Sequence, residues 1–285
     1  MKKAFTLLEL LITLVIIAIL AAMMLGALNV ARNSAREAAT KATITKLNNI
    51  IMQRYESYFT RRIGFDTTDL TNIKIIDKNK IIRATPQSAA WYRLHAIRDL
   101  MRMEMPDALS DIKNPPIIFV TNGESWCIPE PLLHKLYAMN PPTAKLDPAQ
   151  CLYMIVSMGN PEAMEQFRQN EIGIWNGKPV FVDGWGNPIM WLRWAPGLNS
   201  AIQINDTIKH HDPFDTRNVD LSAFHLIPFI YSSGGIKKSD GEPNYGIDTQ
   251  PGYIFNGNPY ANLKLGSPID GQNIITINNH YMEQR

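Results

Sequence analysis

One carboxylate, Glu9, stands at the head of a long apolar run, and its chemistry needs an explanation. From Leu10 to Leu28 the chain has nineteen residues without a charge. An acid inside such a span costs roughly 2.5–3.5 kcal/mol at its middle on insertion scales, and less toward its end. Something must compensate Glu9. One compensation is local: Thr6-Leu7-Leu8-Glu9 fits the S/T-x-x-E capping box, which satisfies two amides at a helix start. The other is a positive group carried by a neighbouring chain. Both stand at this point.

Other chemistry is sparse. The sequence has no H-E-x-x-H, G-x-S-x-G, Walker loop or G-x-G-x-x-G, so no metalloprotease, esterase or nucleotide site follows from motifs. His210-His211-Asp212 is the sole His cluster. Adjacent side chains of a strand point to opposite faces, so a shared metal would need a loop there. A solvated polar turn is the expectation. No nucleophile, base and acid can be grouped by spacing, and no catalytic residue is expected. The two cysteines, Cys127 and Cys151, exclude a disulfide scaffold and a Cys-rich zinc module. One bridge between them is allowed on an oxidising side of a membrane. Their apolar neighbours Trp126, Ile128 and Leu152 suit buried free thiols equally.

These residues must be positioned by a chain of 285 residues, 45% hydrophobic and 19% charged, with a net charge of +2. That is one large domain or two small ones, and too apolar for disorder. The near-neutral balance gives nucleic-acid binding no support. The uncharged run Leu10–Leu28 would be about 28 Å long as a helix, close to the ~30 Å hydrocarbon core of a bilayer. A secretory signal has a shorter apolar region of about 7–15 residues and a small-residue cleavage site. Here the run continues without a break into a polar helical stretch, so a membrane-spanning helix is expected. Lys2 and Lys3 before the span place the N-terminus in the cytoplasm by the positive-inside tendency, although Arg32 and Arg36 follow it.

Proline is absent from Phe5 to Phe59, and Gly26 is the one glycine there. Leu47, Ile50, Ile51, Tyr55, Tyr58 and Phe59 recur at helical spacing, against Lys41, Lys46, Asn49, Gln53 and Glu56 on the other face. The pattern predicts one helix of roughly 55 residues and ~80 Å. Its first half is apolar all round, and its second half is amphipathic and packs on a globular body. Gly26 either weakens the helix, by ~1 kcal/mol relative to Ala, or eases helix contacts in lipid.

The run Lys2-Lys3-Ala4-Phe5-Thr6-Leu7-Leu8-Glu9-Leu10-Leu11 resembles the prepilin signal of type IV pilins and type II secretion pseudopilins. The resemblance implies cleavage between Ala4 and Phe5 by a prepilin peptidase, with Ala4 where the family usually has Gly, and N-methylation of Phe5. It also implies assembly through Phe5, Thr6 and Glu9. The new amine of one copy, with a pKa of about 7.7–8.0 in isolation, would meet the carboxylate of another. Such a pair sets register even where its net stability is modest. Asp183-Gly184-Trp185-Gly186-Asn187-Pro188 and Tyr231-Ser232-Ser233-Gly234, followed by Asp240-Gly241, resemble two blocks of major pseudopilins. In those proteins the late loop holds calcium, and Asp240, Glu242 and Asp248 are the side chains available for it here. Trp185 is expected to cover the core.

Helices are expected over Trp91–Met105, Pro129–Met139, Pro148–Met158 capped by Asp147, and Pro161–Ile172 capped by Asn160. Lys74–Arg83 reads as a surface strand or loop. Short strands follow at Pro179–Asp183, Ile189–Trp194, Phe224–Ser232 and Asn273–Asn279. The fold class is α+β and pilin-like, with a C-terminal antiparallel sheet on the long helix. The expected organisation is a leader (1–4), a transmembrane half-helix (5–28), an amphipathic half-helix (29–60), a mainly helical insertion (61–178) and a β-rich region (179–285). The resemblance implies an inner-membrane, single-pass subunit with a periplasmic body. Its partners would be copies of itself, other pseudopilins, the peptidase, the assembly platform and membrane lipid. The rivals are a true type IV pilus or DNA-uptake subunit, and a tethered enzyme or binding protein with its site in 61–178.

Overall fold

The computed structural model describes residues 7–63, 74–77, 80–83, 86–121, 124–142, 147–248, 259–260, 263–269 and 277–282. The chain opens with helix α1, Leu7–Ser57, 51 residues without interruption at Gly26. A β-carbon at Gly26 would meet nothing within 4 Å. A hairpin follows, β1 (Lys74–Asp77) and β2 (Lys80–Arg83), then α2 (Pro86–Glu104), α3 (Leu109–Lys113), β3 (Phe119–Thr121) and β4 (Glu124–Trp126). Next come α4 (Leu132–Met139), α5 (Asp147–Gly159), β5 (Ile172–Trp175), β6 (Lys178–Phe181) and β7 (Met190–Leu192). The last elements are β8 (Phe229–Ser232), β9 (Ile277–Asn278) and α6 (Asn279–Met282). All strand pairs are antiparallel, in sheets of order β2-β1-β3-β4, β5-β6 and β7-β8-β9. The fold is α+β, with a long N-terminal helix, further helices and small sheets, consistent with a pilin-like protein.

Local chemistry accounts for several elements. Asn176 and Gly177, both at positive φ (48° and 74°), form the two-residue turn between β5 and β6; that turn matches the twist of the strands, and Gly fits it without strain. Helix α5 runs from Asp147 to Gly159 with Pro148 in its first turn, where a proline lacks no hydrogen bond that the helix needs. The expected α-helix over 161–172 is instead two 3₁₀ turns, Pro161–Gln166 and Gln169–Glu171, and Asn160 makes no side-chain cap. Phe167 between them is buried against Phe181, with ring centroids 4.5 Å apart, and Glu171 is drawn to α1. These two anchors break the regular helix. Within 61–178 the structure also places β1–β4 as a sheet, so that stretch is not helical alone.

The main core lies between the second half of α1, α2, α5 and the C-terminal sheet. Leu94, Ile97, Met101 and Met105 of the α2 stripe are buried as their spacing predicts. The opposite side of α2 is buried too, through Arg98, Asp99 and Arg102. Arg102 Nε donates to Asp99 (2.8 Å) and its other nitrogens donate to the carbonyls of Asp111, Asn114 and Pro115. Arg98 reaches Asp212 (3.0 Å) and Asp220 (2.9 Å). Buried charges persist when they are paired and hydrogen-bonded, and α2 meets that condition by binding loops on both sides of it.

Candidate assembly helix and its seat

Every residue of α1 from Leu7 to Ala39 is exposed. The helix is long and apolar enough to cross a membrane. Glu9 lies in its first turn, where the partial positive charge of a helix N-terminus favours an acid. Thr13 donates its hydroxyl to the Leu10 carbonyl at 2.8 Å. Ala4, Phe5 and Thr6, the expected processing and assembly residues, lie outside the described residues, and so does the Thr6 half of the capping box.

Burial begins at Thr40 and runs through Thr43, Ile44, Leu47, Ile50, Ile51 and Tyr55. Tyr58 is buried as expected, whereas Phe59 is 40% exposed and stacks on Phe214 at 4.4 Å. The body grips this half with polar clamps at several heights. Thr40 donates to the Arg36 carbonyl and accepts from the Gly184 amide at 2.9 Å. Glu171 receives Thr43 Oγ1 at 2.6 Å and Lys46 Nζ at 2.9 Å. Burial by itself would raise the Glu171 carboxyl, but the Arg168 amide, Thr43 and Lys46 outweigh it and hold it below the ordinary range. Asn279 Nδ2 donates to Asn48 (2.8 Å), and Tyr55 donates to the Leu226 carbonyl. At the top, Tyr58 and Arg61 share Glu104 (2.8 and 2.7 Å).

The two distal blocks singled out in the sequence meet beside this seat. Asp183 Oδ1 accepts the amides of Trp185 (2.8 Å) and Asn187 (2.9 Å), and its Oδ2 accepts Ser232 Oγ (2.7 Å). That carboxylate ties the Gly-Asn-Pro turn to the end of β8. A β-carbon at Gly184 would lie 2.4 Å from the Arg36 carbonyl oxygen, so only glycine lets the turn touch the helix backbone. Gly235, at φ +83°, admits the Trp185 indole, whose Nε1 would be 2.7 Å from a β-carbon there. Trp185 is half-buried and fastens the late loop through Gly235.

Three further groups of residues singled out in the sequence have these surroundings. Asp240 accepts the Glu242 amide at 3.0 Å inside its own turn, while Asp248 sits across a backbone ladder with Gly266 and Ser267. Among the described residues no three His, Cys, Asp or Glu stand together to hold a metal ion. Cys127 is exposed, Cys151 is buried, and both are free thiols, because they face different surroundings. The His210-His211-Asp212 cluster is divided: His211 pairs with Asp215 (3.1 Å), and Asp212 turns inward to Arg98.

Sequence reasoning missed the Glu171 clamp and a second buried charge centre. Arg193 Nη1 meets Asp111 at 2.8 Å, Asp107 Oδ2 accepts the Arg193 amide at 2.9 Å, and the Asp107 amide donates to Asp111. Burial pushes the Asp107 carboxyl up to about 7, against the pull of Arg193 and with the help of Asp111. The single available signal was a run of acids around Pro106. A Ser–His contact, Ser200 to His280 Nδ1 at 3.0 Å, was also not foreseen. Both residues are buried, and His280 Nε2 is spent on the Pro228 carbonyl. Burial pushes His280 down to about 4, with the Pro228 and Ile227 carbonyls opposing. The pair ties a loop to α6 and has no open side for a substrate.

The prokaryotic N-terminal methylation motif matches residues 1–25. No curated protein and no solved structure matches the chain. That motif, continued by a long apolar helix, fits a type IV pilin-like protein. It supports a pilin-like, prepilin-processed structural subunit of the self-assembling kind. The apolar helix is compatible with a single-pass membrane anchor.

Proposed function

We propose that the chain is a pseudopilin-type subunit of a type II secretion filament, held in the inner membrane by α1 with its N-terminus cytoplasmic and its body periplasmic. A prepilin peptidase cleaves it between Ala4 and Phe5 and methylates Phe5. The assembly platform then draws it from the bilayer into a filament with copies of itself and related subunits. One observation carries this reading: the body buries side chains of α1 only from Thr40 onward and leaves those of Leu7–Ala39 exposed. Taking so much apolar surface out of lipid is unfavourable unless it is reburied, and helices of neighbouring subunits rebury it. Glu9 then faces the Phe5 amine of an adjacent copy, and the opposite charges select one stagger. The meeting of the Asp183–Pro188 turn with the Tyr231–Gly235 block supports the pseudopilin reading, because both blocks resemble that family.

N-terminal mass spectrometry of the protein from its native membrane tests this. The expected mature chain begins at methylated Phe5. A chain that retains Met1, or one cut after Ala22, overturns the proposal. Loss of substrate secretion when the protein is deleted, with surface pili unaffected, is expected of a secretion filament; loss of pili with normal secretion assigns it to a pilus.

A further inference from the structure

We propose that the membrane-proximal end of the body docks on anionic phospholipid headgroups, through Arg32, Arg36, Lys237 and Lys238, with Trp185 and Ile236 at its apolar edge. This rests on reading α1 as the anchor. The contact of Gly184 with the Arg36 carbonyl fixes the height of the body on the helix. Arg32 and Arg36 lie about 6 and 12 Å beyond Leu28 along the axis. The headgroup layer adds about 5–8 Å to each side of the hydrocarbon. Arg32 therefore stands among the headgroups, and the Asp183–Pro188 turn rides just above them.

The packing of Gly235 on Trp185 brings the next loop to the same level. That loop is a short hairpin closed by Lys237 and Pro243, and Ile236, Lys237 and Lys238 on its first limb are exposed. An exposed Ile beside two lysines and a half-buried Trp is the composition of a membrane-interface edge. The acids nearby are accounted for: Glu37 pairs with Lys41 at 2.6 Å, and the Asp240 carboxylate faces the Glu242 amide. Four cations against Asp240 and Glu242 leave a positive excess. It acts within a Debye length of about 8–10 Å of the surface.

The test uses the full chain with Cys127→Ser, labelled with a polarity-sensitive fluorophore at Ile236→Cys, in vesicles that carry a headgroup-level quencher. The expected result is quenching in vesicles containing phosphatidylglycerol and little in pure phosphatidylcholine. Lys237→Glu with Lys238→Glu lowers the ratio of docked to undocked protein by at least about fivefold, and high salt lowers it too. A label at Leu20→Cys reports the anchor separately. If it is shielded in the bilayer while the 236 label stays in water in both lipids, the docking proposal falls and the anchor reading stands. Equal quenching at 236 in both lipids overturns the role of the cations. A water-exposed label at 20 overturns the anchor reading and the docking with it.

Discussion

The two halves of α1 invert the usual relation between hydrophobicity and burial. Leu10–Leu28 holds the most apolar sequence of the molecule and is exposed throughout, while the first buried side chains of the helix are Thr40 and Thr43. A Leu or Ile side chain gains about 1.5–3 kcal/mol on leaving water, so the first half is built for another solvent, either lipid or a bundle of its own kind. The second half is held by matched polar contacts, and these fix its height as well as its face. Apolar packing alone would let a helix slide by a turn; Thr40 on Gly184 and Lys46 on Glu171 do not.

The largest test of this contrast is Glu9→Leu. Membrane insertion should be unchanged, and incorporation into filaments, followed by shearing and sedimentation, should be lost. Unchanged incorporation would show that a local cap is enough to explain the acid. Glycine substitutions separate the halves next. Gly184→Val drives a side chain into the Arg36 carbonyl, and overpacking of this kind costs about 1–3 kcal/mol. Calorimetry should show a melting temperature lower by several degrees. Gly26→Ala enters open space and should strengthen the helix, by about 1 kcal/mol in propensity, with no loss of melting temperature for the body.

The smallest effect is a pH dependence that belongs to the body alone. Asp107 is raised to about 7 when folded, so the folded state holds a proton that the unfolded state has released, and stability rises as pH falls from 7 toward 4. His280 is lowered to about 4, so stability falls as pH drops from about 6.5 toward 4, where only the unfolded chain takes up the proton. The two act in opposite directions in the native protein. Asp107→Asn removes the first contribution: relative to the native chain it should melt higher at pH 8 than at pH 5, and a pH-independent difference would refute the assignment.

Much of the molecule was legible without coordinates. The apolar run, the absence of Pro from Phe5 to Phe59 and the spacing of Leu47, Ile50, Ile51, Tyr55 and Tyr58 specified α1 and its buried face, since periodicity is a property of neighbouring residues. Asp147 and Pro148 located α5 for the same reason, and the signal around Glu9 marked the candidate assembly region. Tertiary structure decided what depends on distant partners. It paired Glu171 with Lys46, brought Arg193 to Asp107 and Asp111, broke the 161–172 segment into 3₁₀ turns, and set Gly184 against Arg36. Each of those outcomes joins residues remote in sequence or turns on where a remote element packs, and no local pattern encodes which charged side chain will be carried inward to meet another. Periodicity chose the helix and its environment; only the packed body chose where along that helix it would stop.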